Sequence, residues 1–274
     1  MTGAAEDLAF RALARRISEG GGLPIEAYKA KCIRRRIAVR MRACGVHTYA
    51  EYQQLLDRTP AEYERLRDAL TINVTRFFRN VETWERLAAG FLPDLWEPGA
   101  SSLRIWSAGC ASGEEAYSLA IVAAELAQAR GHPEALEQVQ VDATDVDRES
   151  LQRAEAAQYR AEALMETPPA LRERYFERVG DEYRVVDRIR RRVRVRVLDL
   201  SAATLPARAY DLIVCRNVVI YFERPTQERL FVAFIRALRP GGLLVLGKVE
   251  TLFGAARDQL TLLDARERIY RRPA

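Results

Sequence analysis

At 274 residues, with 49% hydrophobic and 30% charged residues, the chain has enough apolar material for one large α/β domain plus a smaller one. No apolar run approaches the roughly 20 residues that span a bilayer, and the opening MTGAAEDLAF lacks the layout of a secretory signal, so a cytoplasmic location is expected. The net charge of +5 allows an acidic partner without selecting one, while two histidines and four scattered cysteines make a metal site, a disulfide framework or a triad hydrolase poor expectations.

Residues 1–88 read as an all-α domain. Pro24 and a 3.6-residue period predict a helix over 25–44 that Gly45 ends. Further helices are expected near 49–57, and over 60–70 from the Thr59-Pro60 start.

Residues 89–274 read differently. Leu103–Ala108 is a short apolar strand, Gly109–Gly113 a tight loop and Glu114–Gln128 an Ala-rich helix. Val139–Thr144 is a second strand, followed by a helix over 147–157. Tyr210–Cys215 and Gly242–Gly247 are buried-type strands on either side of a helix over 225–239, and residues 268–270 allow a last strand. Strands alternating with helices imply a parallel, doubly wound α/β sheet. One stretch breaks the rhythm. In Tyr183–Leu200, Val193, Val195 and Val197 alternate with Arg192, Arg194 and Arg196, a period of two that predicts β structure with one cationic face. Residues 160–198 are therefore expected to form an inserted helix and β-subdomain whose last strand rejoins the sheet.

Ligands of such sheets bind beyond the carboxyl ends of the strands. Here the first end is the loop Gly109–Gly113, followed at once by Glu114 and Glu115. A phosphate cradle wants amide donors and a lysine, whereas carboxylates suit an ammonium or sulfonium group. Either glutamate alone is equally well explained as a complement to the helix dipole. At the second strand end, Asp145 is placed to accept ribose hydroxyls and Asp147 to cap the next helix. Asp199-Leu200, after the third, would border an adenine ring.

Leu70–Arg79 (LTINVTRFFR), Ser107–Ser118 (SAGCASGEEAYS), Ala143–Asp147 (ATDVD) and Cys215–Phe222 (CRNVVIYF) together resemble the bacterial chemotaxis receptor methyltransferases, the CheR family. The match covers nearly the whole chain in the family's order. The resemblance implies a Rossmann-like class I AdoMet methyltransferase domain with a small β-subdomain insertion, preceded by an all-α N-terminal domain. It implies S-adenosylmethionine as cofactor and glutamate side chains of methyl-accepting chemoreceptors, in a cytoplasmic helical bundle, as substrate. By position, Asn73, Thr75 and Arg79 from the first block and Gly109 and Glu115 from the second would surround the cofactor. Asp145, Asp199, Leu200, Cys215, Arg216 and Asn217 would complete that shell. Arg79 and Tyr221 would line the site of methyl transfer.

Two departures stand out. The family's Gly-His-Ser-Glu is here Gly247-Lys248-Val249-Glu250, and Arg178–Glu182 lacks the glycine-rich loop of members that dock on a receptor's C-terminal pentapeptide, so action without that tether is expected. On the helix 25–44, Ile33, Ile37 and Met41 share one stripe while Lys31, Arg35 and Arg42 gather on another, either a solvated face or a docking face for acidic helices. An RNA or small-molecule methyltransferase and a non-catalytic AdoMet-sensing module remain the rival readings.

Overall fold

The computed structural model describes residues 3–21, 25–70, 75–202 and 207–274. It divides into two compact units, one of residues 1–72 with 221–227, the other of residues 73–220 with 228–274.

The first unit is helical. Helix α1 (Gly3–Gly21) packs on α3 (Tyr49–Arg58), and α2 (Ala30–Ala43) packs on α4 (Pro60–Leu70). Ile33, Ile37 and Met41 of α2 are buried, as their spacing predicts, among Leu13, Ile17, Leu56 and Leu66 of this unit. Helix α2 starts later than expected: a 3-10 turn at Ile25–Ala27 precedes it, and Tyr28 forms a β-bridge with Phe222. Its expected opener, Pro24, lies outside the described residues. Gly45 follows the helix with φ +68°, the left-handed geometry that glycine adopts without a steric penalty. The next helix is nucleated by a capping box in which the Thr48 side chain accepts from Glu51 N while Glu51 accepts from Thr48 N. Glu62, 2% exposed, holds α2 to α4: Arg40 donates to it at 2.9 and 2.6 Å, and the Tyr52 hydroxyl donates at 2.8 Å. Burial works against its charge, but the hydrogen bonds from Arg40 and Tyr52 prevail and hold its pKa below the usual value.

The second unit is a seven-stranded sheet with helices, and it begins well before residue 88, the boundary read from sequence. Helix α5 (Val81–Arg86), a π-helical turn (Leu87–Phe91) and α6 (Leu92–Leu95) belong to it. The reason is apolar: Phe77, Phe78, Trp84, Leu87, Leu92 and Trp96 are buried in one cluster with Leu103 and Ile105 of the first strand. Of these, Phe77, Phe78, Trp84 and Leu87 precede residue 88, yet they group with the second unit.

The strands are β1 (Leu103–Ala108), β2 (Val139–Asp145), β3 (Gln158–Arg160), β4 (Phe176–Val179), β5 (Glu182–Val185), β6 (Val193–Val197), β7 (Tyr210–Cys215), β8 (Leu238–Leu246), β9 (Thr261–Asp264) and β10 (Ile269–Arg271). The main order is β6-β2-β1-β7-β8-β10-β9, parallel through β8 and antiparallel at β10 and β9. The chain reverses its direction of winding between β1 and β7, which opens a crevice at their carboxyl ends. Helix α7 (Glu114–Ala129) is buried nearly all round, as its alanine-rich sequence permits, and α8 (Arg148–Ala156) follows β2.

The insertion forms a three-stranded sheet, β3-β5-β4, with α9 (Pro169–Tyr175) before β4, and the short α10 (Asp187–Arg190) returns the chain to β6. Strand β6 lies at the sheet edge, so Val193 and Val195 are only half-buried and Val197 is exposed. Its arginines are divided: Arg196 reaches Asp142 at 2.9 Å, Arg192 donates to Glu137 O, and Arg194 is exposed. Helix α11 (Arg224–Ala237) leads into β8, which starts at Leu238 and runs through Pro240-Gly241 with a register shift, earlier than expected. Helix α12 (Ala255–Asp258) precedes β9.

Candidate functional site

The Gly109–Gly113 loop is shaped by its glycines. Gly109 and Gly113 have φ of +81° and +94°. A Cβ on Gly109 would come within 2.5 Å of Val218, and one on Gly113 within 2.8 Å of Ala154. Both positions therefore require glycine on backbone and contact grounds together. Gly109 N and Cys110 N converge on Thr144 O at 2.8 and 3.0 Å, tying the loop to the end of β2. Between the glycines, Ala111 is itself left-handed, at φ +48°, and its N–H donates to Asp145 Oδ2 at 2.9 Å.

Asp145 thus organises the loop and remains an acceptor. Its Oδ1 takes the N–H of Asp147 at 3.0 Å, so two of the roughly four lone-pair sites of a carboxylate are used. Burial pushes its pKa up despite these bonds. Asp147 caps α8 by accepting from Glu149 N, the structural role read for it from sequence. Leu198 N donates to Asp145 O, which sets Asp199 and Leu200 beside this strand end; Asp199 Oδ1 accepts from Ser201 N and Oγ, and Leu200 is buried.

The two glutamates after the loop separate in role. Glu114 is 4% exposed and accepts from the Ser112 hydroxyl on both oxygens; burial lifts its pKa to about 7. Glu115 accepts from the Ser107 hydroxyl at 2.8 Å and lies 3.7 Å from the Arg216 guanidinium. Burial raises its pKa, against the pull of Arg216 and, more weakly, Arg79. Arg216 also donates to Arg79 O and Asn80 Oδ1 at 2.9 and 2.8 Å and stands over the Trp84 ring.

Arg79 occupies a turn pinned on both sides. Phe78 and Asn80 are left-handed, at φ +53° and +61°; Phe78 N donates to Ser118 Oγ, Asn80 N to Glu166 Oε2, and Arg79 O accepts from Trp84 Nε1. Thr75, half-buried, begins the described part of this segment, and Asn73 lies outside the described residues. Cys215 is fully buried with its thiol pushed well above the ordinary value, which keeps it neutral. Tyr221 groups with the helical unit: its carbonyl accepts from Lys29 N at 2.8 Å and its ring lies under the Arg36 guanidinium.

Sequence reading passed over Glu250, which accepts from the backbone N–H groups of Gly247, Asn217 and Val218 at 2.6, 3.0 and 2.9 Å. Its signal was present, as the one acid retained in the departing Gly247–Glu250 block. Lys248, in the same block, pairs with Glu82 and with buried Glu267 at 3.2 and 3.3 Å, so this departure from the family pattern is an anchored residue. Ser107, Asn80 and Trp84 were also passed over, because each acts through a neighbour: Ser107 on Glu115, Asn80 on Arg216, and Trp84 on Arg79 O and Arg216.

Carboxylates with unspent lone pairs, set around a glycine loop where β1 and β2 end, offer acceptors for the hydroxyl and ammonium groups of a nucleoside-bearing amino acid. Comparison with known proteins agrees. The model described as CheR methyltransferase, all-alpha domain, matches residues 8–71, and that described as CheR methyltransferase, SAM binding domain, matches residues 73–269. The chemotaxis protein methyltransferase of Klebsiella aerogenes is 37% identical over 260 residues, 92% of this chain and 86% of that protein. Chemotaxis protein methyltransferase 2 of Pseudomonas aeruginosa is 35% identical over 255 residues, 90% of this chain and 88% of that protein. The probable biofilm formation methyltransferase WspC of Pseudomonas putida is 34% identical over 244 residues, 88% of this chain and 55% of that protein. The cofactor is S-adenosylmethionine, and the donor set of this site fits it. The chain belongs to the CheR family of S-adenosylmethionine-dependent methyltransferases that act in chemotaxis.

Proposed function

We propose that this chain esterifies glutamate side chains of methyl-accepting chemoreceptors, in the helical bundle of their cytoplasmic part, without docking on a C-terminal pentapeptide. The observation that carries this reading is the cluster of Asp145, Glu115, Arg216 and Arg79 around the glycine loop. In it, Asp145 accepts the ribose hydroxyls, Asp199 and Leu200 border the base, and Glu115 meets the positive end of the ligand. Gly109, Cys215 and Asn217 form the close backbone and apolar contacts, with Thr75 completing the shell.

The bound cofactor supplies a methyl group activated by a positively charged sulfur. The acceptor needs no general base, since a glutamate with a pKa near 4.3 is ionised at neutral pH. What the chain contributes is alignment and exclusion of water. The planar fork of Arg79 orients the incoming carboxylate. Too firm a grip on the carboxylate would stabilise the ground state, so Arg79 positions rather than activates.

The acceptor reading is supported by α2. Of its cations, Arg34 pairs with Asp7, Arg36 donates to Leu70 O and Arg40 pairs with Glu62. Lys31, Arg35 and Arg42 are exposed and have no ion pair among the described residues. They are left to meet an acidic helical partner, where charge chiefly steers encounter and register.

The test is transfer from S-adenosylmethionine carrying a labelled methyl to a glutamate-rich receptor fragment. Base-labile label on the fragment is expected; label on RNA, or binding of S-adenosylhomocysteine with no transfer to any acceptor, would overturn the reading.

A further inference from the structure

We infer that Glu250 is a positioning residue of the cofactor site, holding the segment after β7 in the shape that closes against the glycine loop after β1. Glu250 is 3% exposed, and among the described residues its carboxylate accepts only backbone N–H groups: Oε2 from Gly247 and Asn217, Oε1 from Val218 and, at 3.4 Å, Ile220. Those four bonds occupy roughly all the lone-pair sites a carboxylate has, so Glu250 has nothing left with which to bind a ligand. It acts through what it holds.

What it holds belongs to the site. Arg216, which reaches Glu115, immediately precedes the clasped residues. Asn217 sits at φ +61°, a left-handed conformation that asparagine tolerates better than most residues, and its N–H is held there by Glu250. The Val218 side chain fills the space above Gly109, where a Cβ would be met at 2.5 Å. Gly247 must be glycine for the same clasp, since its Cβ would lie 2.7 Å from Glu250 Oε2 and 2.9 Å from Asn217 N. One carboxylate therefore joins the ends of β7 and β8 and, through Val218, the loop after β1. Without it, the N–H groups of Gly247 and of the half-buried Asn217, Val218 and Ile220 would lose their shared acceptor.

This inference rests on the cofactor lying at Asp145 and Glu115, as proposed above. Its test is calorimetric binding of S-adenosylhomocysteine to wild type, Glu250→Gln, Gly247→Ala, Thr48→Ala and Asp145→Ala, each well below its own melting temperature. Glu250→Gln keeps the size of the side chain, but its amide group faces two N–H donors, and Gly247→Ala pushes the carboxylate off Asn217 while leaving its charge. Both are expected to raise Kd about tenfold or more, the worth of one to two hydrogen bonds to a charged group. Thr48→Ala, which weakens a helix cap of the other unit, is expected to bind as wild type and so separates lost stability from lost shape. Wild-type affinity in folded Glu250→Gln, or in Gly247→Ala should the first variant not fold, overturns the inference. Undiminished binding by Asp145→Ala would instead show the site itself to be misplaced, and the inference would fall with it.

Discussion

Buried carboxyl groups set the behaviour of this protein at the level of single residues. Asp145 both orders Ala111 and keeps acceptor capacity, so Asp145→Ala is expected to weaken S-adenosylhomocysteine binding by about 30-fold or more, the loss of roughly 2 kcal/mol from charged hydrogen bonds. Calorimetry reads this directly, and equal affinity would displace the proposed pocket. Glu114 gives a pH signature. Its folded pKa of about 7 lies above the ordinary 4.5 because of burial, so the folded state holds a proton that the unfolded chain has released. The resulting stability is complete below pH 4.5 and is lost as pH rises through about 7. Glu114→Gln should therefore be more stable than wild type at pH 8, by up to about 3 kcal/mol, with the difference closing towards pH 4.5. Urea melts at a series of pH values check the sign. Of the residues assigned to the site, Asp145 and Glu115 were readable because strand ends and residue charge are both local properties of the chain. Glu250 left only the trace of an acid retained in a departing block, because most of the N–H groups it holds lie about 30 residues away in sequence.

The elements divide between those nucleated locally and those defined by their neighbours. Helix α3 is of the first kind, and Thr48→Ala should cost the helical unit about 1 kcal/mol in a denaturant melt. The α2–α4 pair is of the second. Removing Arg40 leaves Glu62 buried against Tyr52, and Arg40→Ala should destabilise the unit by about 3 kcal/mol, a loss far larger than that of an exposed ion pair. Strands β1, β2 and β7 were legible as short apolar runs, since strands covered on both faces carry little polar alternation. The start of β8 was misjudged, because Pro240-Gly241 reads as a turn, whereas pairing with β7 carries the strand through it with a bulge. Residues 81–88 were read as helical and placed with the N-terminal helices, whereas they group with the second unit. An amphipathic pattern reports that a face is buried and is silent on which partner buries it.

For the molecule as a whole, the proposed acceptor is a charged helical surface, and the expected signature is kinetic. Replacing Lys31, Arg35 and Arg42 together by alanine should lower kcat/KM towards a receptor fragment about tenfold at low salt, with S-adenosylhomocysteine affinity unchanged. The defect should shrink as ionic strength rises, because screening removes the same attraction from the wild type. An equal defect at all salt concentrations would argue against electrostatic docking.

Composition and periodicity determined the α/β class and the order of the elements, four short sequence blocks carried the resemblance to the family, and the acids near strand ends supplied the carboxylates of the proposed site, since each is written in a few neighbouring residues. Tertiary structure alone decided where the helical unit stops, which of the α2 arginines are bound within the unit and which are exposed, and that Glu250 clasps the end of β7. Those depend on which distant groups bury one another, and burial is a property of the folded surface that no local stretch of chain contains.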